Sequence, residues 1–291
     1  MAQTEHFTHG GHRLAYETRG AGAHTVVLLH GLLLSRKMHR PLARALAAHG
    51  YRVVSLDLLG HGDSDKPADM TEHSMQLYGE QVRGLLDHLG VAQAVVLGTS
   101  LGANTALELA ALAPERVRGM VIEMPVLDNA ILGAGVAFLP VMLAMRVAAP
   151  VMQSAASIAR RIPTGRLWAL DMLMDWPRGE PRPSLAVLQG LFFGRIAPPR
   201  SVRRTLTPPA LVIGHPNDPV HPFTDSDALV RELPNGRLLQ AESIIELRVR
   251  PERLTGEIAA FIDACWAAPK ASRKPRATAK RTPAKARTKA A

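Results

Sequence analysis

Apolar residues along this chain follow two patterns, short continuous runs and a repeat of three to four. The runs predict eight strands, the first two joined across Gly10-Gly11: 5–9, 13–18, 25–29, 52–57, 94–97, 117–123, 210–214 and 237–241. The repeat predicts helices, among them 41–49, 74–89, 103–113, 224–233 and 251–267. Strands that alternate with helices indicate an α/β fold with a mostly parallel, doubly wound sheet of about eight strands.

One segment breaks this alternation between two predicted strands. Residues 125–204 are rich in Met, Ala, Leu, Arg and Pro, and we interpret them as a helical cap inserted into a core formed by residues 1–124 and 205–268. The 17 residues 129–145 carry no charge, but this run contains Pro140 and is shorter than the ~20 residues of a membrane span. The pattern favours buried or lid helices, and a lid that touches lipid stays open.

The basic charge of the chain lies at its end. The formal net charge is +10 at pH 7, and residues 269–291 hold nine Lys and Arg without an Asp or Glu, which leaves +1 for the rest. We expect this tail to be disordered. It either serves solubility or makes a weak contact with a polyanion, nucleic acid or an anionic membrane.

Cysteine content and the first residues bear on the compartment. Cys265 is the single cysteine, so no intrachain disulfide forms and a reducing environment is expected. No charged stretch followed by an apolar run marks residues 1–20 as a signal peptide. The sequence therefore predicts a cytoplasmic protein.

The strongest chemical motif is Gly98-Thr99-Ser100-Leu101-Gly102, between a predicted strand and a predicted helix. A sharp turn there strains the backbone at Ser100, and glycines on either side avoid clashes of a Cβ atom. Such a turn exposes the hydroxyl of Ser100 beside the amide of Leu101. We therefore predict a nucleophile rather than an ordinary turn that contains a serine.

Three stretches together resemble the α/β-hydrolase family: Leu28-Leu29-His30-Gly31, the loop 57–67 (DLLGHGDSDKP) and the Gly-x-Ser-x-Gly motif at 98–102. The resemblance extends as organisation over residues 5–267. It implies that Ser100 attacks a carbonyl carbon and that the backbone amides of Leu32 and Leu101 form the oxyanion hole. It implies no metal and no organic cofactor.

The resemblance also implies a carboxylate after the strand that follows the cap. Asp218 in Gly214-His215-Pro216-Asn217-Asp218 matches that position, and Asp128 after the preceding strand is the fallback. An Asp before Pro is also a common turn residue, so the assignment depends on the strand before it.

The sequence departs from the family at the base. The family's histidine follows the last strand, near Ser243 or Ile244 here, yet no histidine occurs after His221. His221 is the best replacement because it shares a loop with Asp218, and His215 and His30 are weaker candidates. Alternatively Glu242 or Glu246 accepts the proton, or the triad is broken and the protein holds a ligand.

The predicted cap contains several methionines, of which Met142 and Met145 are the candidate substrate contacts. Methionine adapts to irregular apolar partners, although these residues could equally pack the cap onto the core. The sequence thus predicts an esterase or lipase that uses Ser100, Asp218 and His221 on a hydrophobic carboxylic ester. The alternative is a catalytically degraded protein that binds a hydrophobic ligand, and no specific protein partner is expected.

Overall fold

The strands of this protein form one sheet. The computed structural model describes residues 3–163 and 168–267. Within them the strands are β1 Thr4–His9, β2 His12–Arg19, β3 Thr25–Leu29, β4 Arg52–Leu56, β5 Ala94–Thr99, β6 Val117–Glu123, β7 Ala210–Gly214 and β8 Gly236–Gln240. Their order is β1-β2-β4-β3-β5-β6-β7-β8, antiparallel at β1/β2 and β2/β4 and parallel elsewhere. The predicted eight-stranded, mostly parallel sheet is confirmed.

Helices cover both faces of the sheet, which is why the central strands are apolar on both sides. The helices described are α1 Arg40–Ala48, α2 Met75–His88, α3 Leu101–Leu112, α4 Ala130–Val147, α5 Ala149–Ala159, α6 Trp168–Leu173, α7 Pro181–Phe192, α8 Arg200–Arg203, α9 Phe223–Glu232, α10 Glu246–Val249 and α11 Glu252–Ala267. Val96 of β5 packs in a core with α2 and α3, while Val95 and Leu97 pack in a second core with α1 and α11. Alternate residues of one strand thus serve opposite layers.

Helices α4 to α8 lie between β6 and β7 in the chain. The apolar run noted in the sequence contains Pro140, and α4 continues through this proline as one helix. A proline lacks the N–H that would bond the carbonyl four residues earlier, and α4 tolerates this single loss. The division into core and inserted cap stays a prediction, and the basic tail lies outside the described residues.

The carboxyl ends of the parallel strands carry the loops that matter for chemistry. Ser100 follows β5, Met124 follows β6, and the loop 215–222 follows β7. Because β6 separates β5 from β7, these two loops start about 10 Å apart, two strand spacings. That distance is within reach of side chains that lean over the end of β6.

Candidate active site

Ser100 stands on a strained turn between β5 and α3. Its φ of 53° and ψ of −108° lie outside the regions that a serine prefers. A Cβ atom on Gly98 would lie 2.1 Å from the backbone of Gly102, and one on Gly102 would lie 2.3 Å from the carbonyl oxygen of Leu29. Only glycine fits at either position, so the motif builds the turn that the sequence predicts.

The structure brings together Ser100, His221 and Asp218. His221 Nε2 lies 2.9 Å from Ser100 Oγ, and His221 Nδ1 lies 2.9 Å from Asp218 Oδ2. An imidazole that donates from Nδ1 to the carboxylate leaves Nε2 free to accept the serine proton. The three side chains therefore form one directed chain of hydrogen bonds, from Ser100 to His221 to Asp218.

Backbone amides of the turn that contains His221 hold the carboxylate of Asp218 in place. Its Oδ1 accepts hydrogen bonds from the amides of Val220 and His221, each at 2.9 Å. Burial alone would raise the pKa of Asp218, but hydrogen bonds from His221 and from these amides hold that pKa below its usual value. The carboxylate thus stays ionised at neutral pH, as an orienting group requires.

The other candidate bases have different partners. His30 is buried, its Nδ1 donates to the carbonyl of Gly31 and its Nε2 accepts the amide of Leu58. Burial lowers the pKa of His30 to about 4, so it is a neutral loop-shaping residue. His215 is also buried, and its Nδ1 donates to the carbonyl of Ser243.

Neither glutamate of the last loop lies at the cavity beside Ser100. The carboxylate of Glu246 pairs with Arg253 and accepts the amide of Glu242. The side chain of Glu242 is 74% exposed and faces Arg253 at 3.8 Å. These carboxylates stabilise the last loop, and the structure does not bring them to the serine.

The loop after β3 carries the predicted oxyanion amide of Leu32. Leu34 N donates to Gly31 O at 3.2 Å, which closes a turn in which Leu33 has a φ of 60°. That conformation is costly for a leucine and points to a loop shape fixed by its surroundings. Within the described residues, the amides of Leu32 and Leu101 have no hydrogen-bond acceptor, and both residues border the same cavity as Ser100.

The loop 57–67 holds that turn in place rather than contacting the cavity. Asp57 is fully buried, accepts the amide of Arg36 at 2.6 Å and forms an ion pair with its guanidinium. Asp63 N donates to Asp57 at 2.8 Å, and a Cβ on Gly62 would collide with the Asp57 carboxylate. The motif that resembles the family is thus a structural brace for the oxyanion loop.

A buried charged cluster lies behind Ser100, and the sequence analysis missed it. Arg248 of α10 donates to Glu123 at 2.8 and 3.2 Å and to Thr99 Oγ1 at 3.1 Å. Glu123 O accepts the amide of Ser100 at 2.9 Å, and His215 Nε2 lies 3.3 Å from the Glu123 carboxylate. Burial alone would raise the pKa of Glu123, but Arg248 and His215 hold it well below its usual range. The available signal was a charged residue at the end of the apolar strand Val117–Glu123.

A cavity of about 450 Å³ opens beside Ser100 and His221. Apolar residues from several loops and helices line most of it, including Leu101, Val126, Leu127, Ile131, Phe138 and Leu191. Arg195, Arg200 and Arg203 border it as well, and each is paired with a buried glutamate, Glu108 or Glu232. The volume is in the range of small-molecule sites, about 300–1,000 Å³.

The structure does not place Met142 or Met145 in this cavity, so their assignment as substrate contacts is corrected. Ile131, Ala134 and Phe138 of α4 line the cavity, and Met145 lies on the same side of the helix but seven residues beyond Phe138. At 1.5 Å per residue, Met145 lies ~10 Å along the helix axis from Phe138. Met145 borders a separate cavity of about 210 Å³ with Met152.

Metal-binding geometry is absent from residues 3–163 and 168–267, since no group of three or more His, Cys, Asp or Glu is positioned to hold an ion there. The chemistry available at the cavity is that of the serine, the imidazole, the carboxylate and main-chain amides.

The doubly wound sheet, with a serine on a strained turn after a central strand, defines the class of α/β proteins that carry a nucleophile elbow. Comparison with known proteins agrees with this class. The profile of the alpha/beta hydrolase fold matches residues 24–242. The chain belongs to the α/β-hydrolase fold family.

Individual relatives match shorter stretches. The chain is 36% identical over 110 residues to bifunctional epoxide hydrolase 2 of Rattus norvegicus, which covers 38% of this chain and 20% of that protein. It is 35% identical over 113 residues to a 2-hydroxy-6-oxononadienedioate/2-hydroxy-6-oxononatrienedioate hydrolase of Paraburkholderia xenovorans (strain LB400), covering 38% of this chain and 39% of that protein. These matches span less than half the length of either relative.

A solved structure extends the similarity to most of the chain. The enol-lactonase from Burkholderia xenovorans LB400 superposes with a TM-score of 0.73 over 89% of this chain and 100% of that chain. The sequence identity is 21%, so this similarity shows the fold alone.

Proposed function

We propose that this protein is a serine hydrolase that cleaves a hydrophobic carboxylic ester, with Ser100 as nucleophile, His221 as base and Asp218 as the orienting acid. The observation that carries the proposal is the hydrogen-bonded chain from Ser100 Oγ to His221 Nε2 and from His221 Nδ1 to Asp218, each step 2.9 Å long. A serine hydroxyl is a weak nucleophile until a neighbouring base takes its proton.

In the proposed mechanism, Ser100 Oγ attacks the ester carbonyl while its proton passes to His221 Nε2. The carbonyl oxygen becomes an oxyanion, which the amides of Leu32 and Leu101 and the N-terminus of α3 stabilise; one such donor contributes about 3–4 kcal/mol. His221 then protonates the leaving alkoxide. Water, deprotonated by the same imidazole, attacks the acyl-serine, releases the carboxylic acid and restores Ser100.

Two further observations support the substrate class. The cavity that Ser100 borders is lined mostly by apolar side chains, which suits an apolar acyl or alcohol group. The names of the relatives describe hydrolases, which supports hydrolytic activity in general. The binding-protein alternative depended on the missing late histidine, and the 2.9 Å contact between His221 Nε2 and Ser100 Oγ supports the enzyme over that alternative.

A fluorophosphonate probe tests the nucleophile, and hydrolysis of p-nitrophenyl butyrate tests turnover. We expect rapid labelling and hydrolysis by the intact protein, no labelling of Ser100→Ala, and a loss of about 10³-fold or more in His221→Ala. Ser154→Ala is the matched control, because Ser154 lies on α5 and bonds only the carbonyl of Pro150. An intact protein that is neither labelled nor active contradicts the proposal and supports the ligand-binding alternative.

A further inference from the structure

Helix α4 is apolar around its whole circumference, yet it is mostly exposed. Its 18 residues have a mean hydropathy of 2.0, and only 11% of them are buried, so by length and composition alone α4 resembles a membrane span. A helix with this composition is normally enclosed by protein or by lipid. Exposure of this apolar surface to bulk water is therefore energetically unfavourable.

Two opposite faces of α4 face different surroundings. Ile131, Ala134 and Phe138 line the cavity at Ser100. The opposite side carries what we call the apolar stripe, five side chains that are each more than half exposed: Leu132, Val136, Leu139, Leu143 and Val147. Their spacing of three and four residues places them on one side of the helix. One helix thus joins the cavity wall to an exposed apolar surface.

The charged residues within the segment 129–170, which contains the stripe, are all basic. No Asp or Glu occurs between residues 129 and 170, while Arg146, Arg160 and Arg161 are exposed there. Val151 and Ile158 of α5 are also exposed, at 71% and 66%. Apolar side chains among arginines are the composition of helices that lie in the interface of an anionic bilayer.

The end of the chain adds to this charge. Residues 269–291, outside the described structure, carry nine basic residues and no acid, and they contain no Val, Leu, Ile, Met or aromatic residue. Such a segment has no large apolar side chains with which to cover the stripe. Its charges suit anionic headgroups, which attract Lys and Arg near the membrane surface.

We propose that the apolar stripe of α4 inserts into the interface of a membrane that contains anionic lipid, with α4 parallel to the surface. A spanning orientation is disfavoured, because its opposite face lines the cavity and its ~27 Å length is below the ~30 Å of a hydrocarbon core. A second copy on the stripe is disfavoured too, because residues 129–170 offer no acid to pair with the arginines brought together. The proposal does not depend on Ser100 chemistry.

The experiment is cosedimentation of the full chain with vesicles of phosphatidylcholine mixed with phosphatidylglycerol, and of phosphatidylcholine alone. We expect stronger binding to the mixed vesicles. The variant Leu132→Gln/Val136→Gln/Leu143→Gln keeps good helix formers on the stripe, and we expect it to bind about tenfold or more weakly. Leu112→Gln/Val249→Gln is the control, because these exposed apolar residues lie on other helices; its binding stays unchanged.

Several outcomes would overturn the proposal. In the first, the stripe variant binds vesicles as the intact protein does, and salt abolishes the binding of both proteins. Binding would then depend only on the charges of the tail. Alternatively, neither protein binds vesicles, but the intact chain dimerises and the stripe variant does not; the stripe is then an interface between copies. If the apolar stripe binds the membrane, Ser100→Ala binds vesicles as the intact protein does. This result separates the membrane proposal from the proposed hydrolysis.

Discussion

At the scale of single residues, the sequence lacks the family's late histidine, yet His221 Nε2 lies 2.9 Å from Ser100 Oγ. Asp218 and His221 are three residues apart, and one turn supplies the carboxylate, the imidazole and two amides that fix the carboxylate. The last loop, where the family's histidine was expected, instead supplies Arg248 to a buried glutamate. The proposed site therefore requires no histidine after β8.

Asp218→Asn tests the orienting role of the carboxylate. The amide oxygen keeps the acceptor for the amides of Val220 and His221, but the side chain no longer stabilises the imidazolium or fixes its tautomer. We expect kcat for p-nitrophenyl butyrate to fall by about 10²–10⁴-fold, with the fold retained. Asp227→Asn, an exposed carboxylate of α9, serves as the control. If instead Asp128→Asn abolishes turnover, the fallback acid is the right one.

The chain's local signals explain which site residues the sequence could predict. Ser100, Asp218 and His221 could be proposed from the sequence because turn chemistry and a shared loop are visible in a few consecutive residues, and the structure brings their side chains together. Glu123 and Arg248 were missed because they are 125 residues apart and an arginine in a late loop looks like any solvated one. Met142 and Met145 were misplaced because methionine content indicates an adaptable apolar surface but not which cavity it borders.

At the scale of elements, the buried Glu123–Arg248 pair joins β6 to α10 and supports the end of β5 through Thr99. The strands were predictable because continuous apolar runs mark strands buried on both faces. Continuity of α4 was not, because the cost of Pro140 depends on tertiary support. The same holds for the last loop, whose partners come from three strands.

Arg248→Met leaves Glu123 charged and buried, but without the hydrogen bonds and the positive charge of Arg248. We expect the free energy of unfolding to fall by about 3–5 kcal/mol, measured by urea denaturation. Arg231→Met is the matched control, because its pair with Asp227 is exposed, and its effect stays below about 1 kcal/mol. Adding Glu123→Gln to Arg248→Met should restore part of the loss; no restoration would show that packing, and not charge, carries the effect.

At the scale of the whole molecule, buried titrating groups make the fold sensitive to acid. Burial lowers the pKa of His30 and of His39 from 6.5 to about 4, and the pKa of His61 is also lowered well below 6.5. Between pH 6.5 and 4 the unfolded chain binds protons at these sites that the folded chain does not, so stability falls as the pH falls. The depressed pKa values of Asp218 and Glu123 act in the same direction at lower pH.

The expected result is an unfolding free energy that declines from about pH 6.5 downwards. His215 acts in the opposite direction, because burial alone would lower the pKa of His215 but Glu123 raises it. His30 and His39 each contribute a decline on the order of 3 kcal/mol by pH 4. His39→Gln keeps a donor for the carbonyl of Leu29 without a titrating ring, so its urea midpoint should depend less on pH. His49→Gln, at an exposed position, should leave the pH dependence unchanged, and an equal effect of both would contradict this account.

Asp218 and His221 share one turn, so the proposed catalytic geometry has two parts. The contact between Asp218 and His221 is local in the chain, and the contact between His221 and Ser100 joins distant segments. The distance between the Asp218 carboxylate and the His221 imidazole is set within residues 218–221. Small movements between strands therefore leave this distance unchanged. Only the gap from His221 to Ser100 depends on how β7 sits beside β6 and β5. If the sheet loosens, the distance between Ser100 Oγ and His221 Nε2 changes first. The proposed proton transfer from the serine is therefore affected before the orientation of the imidazole ring.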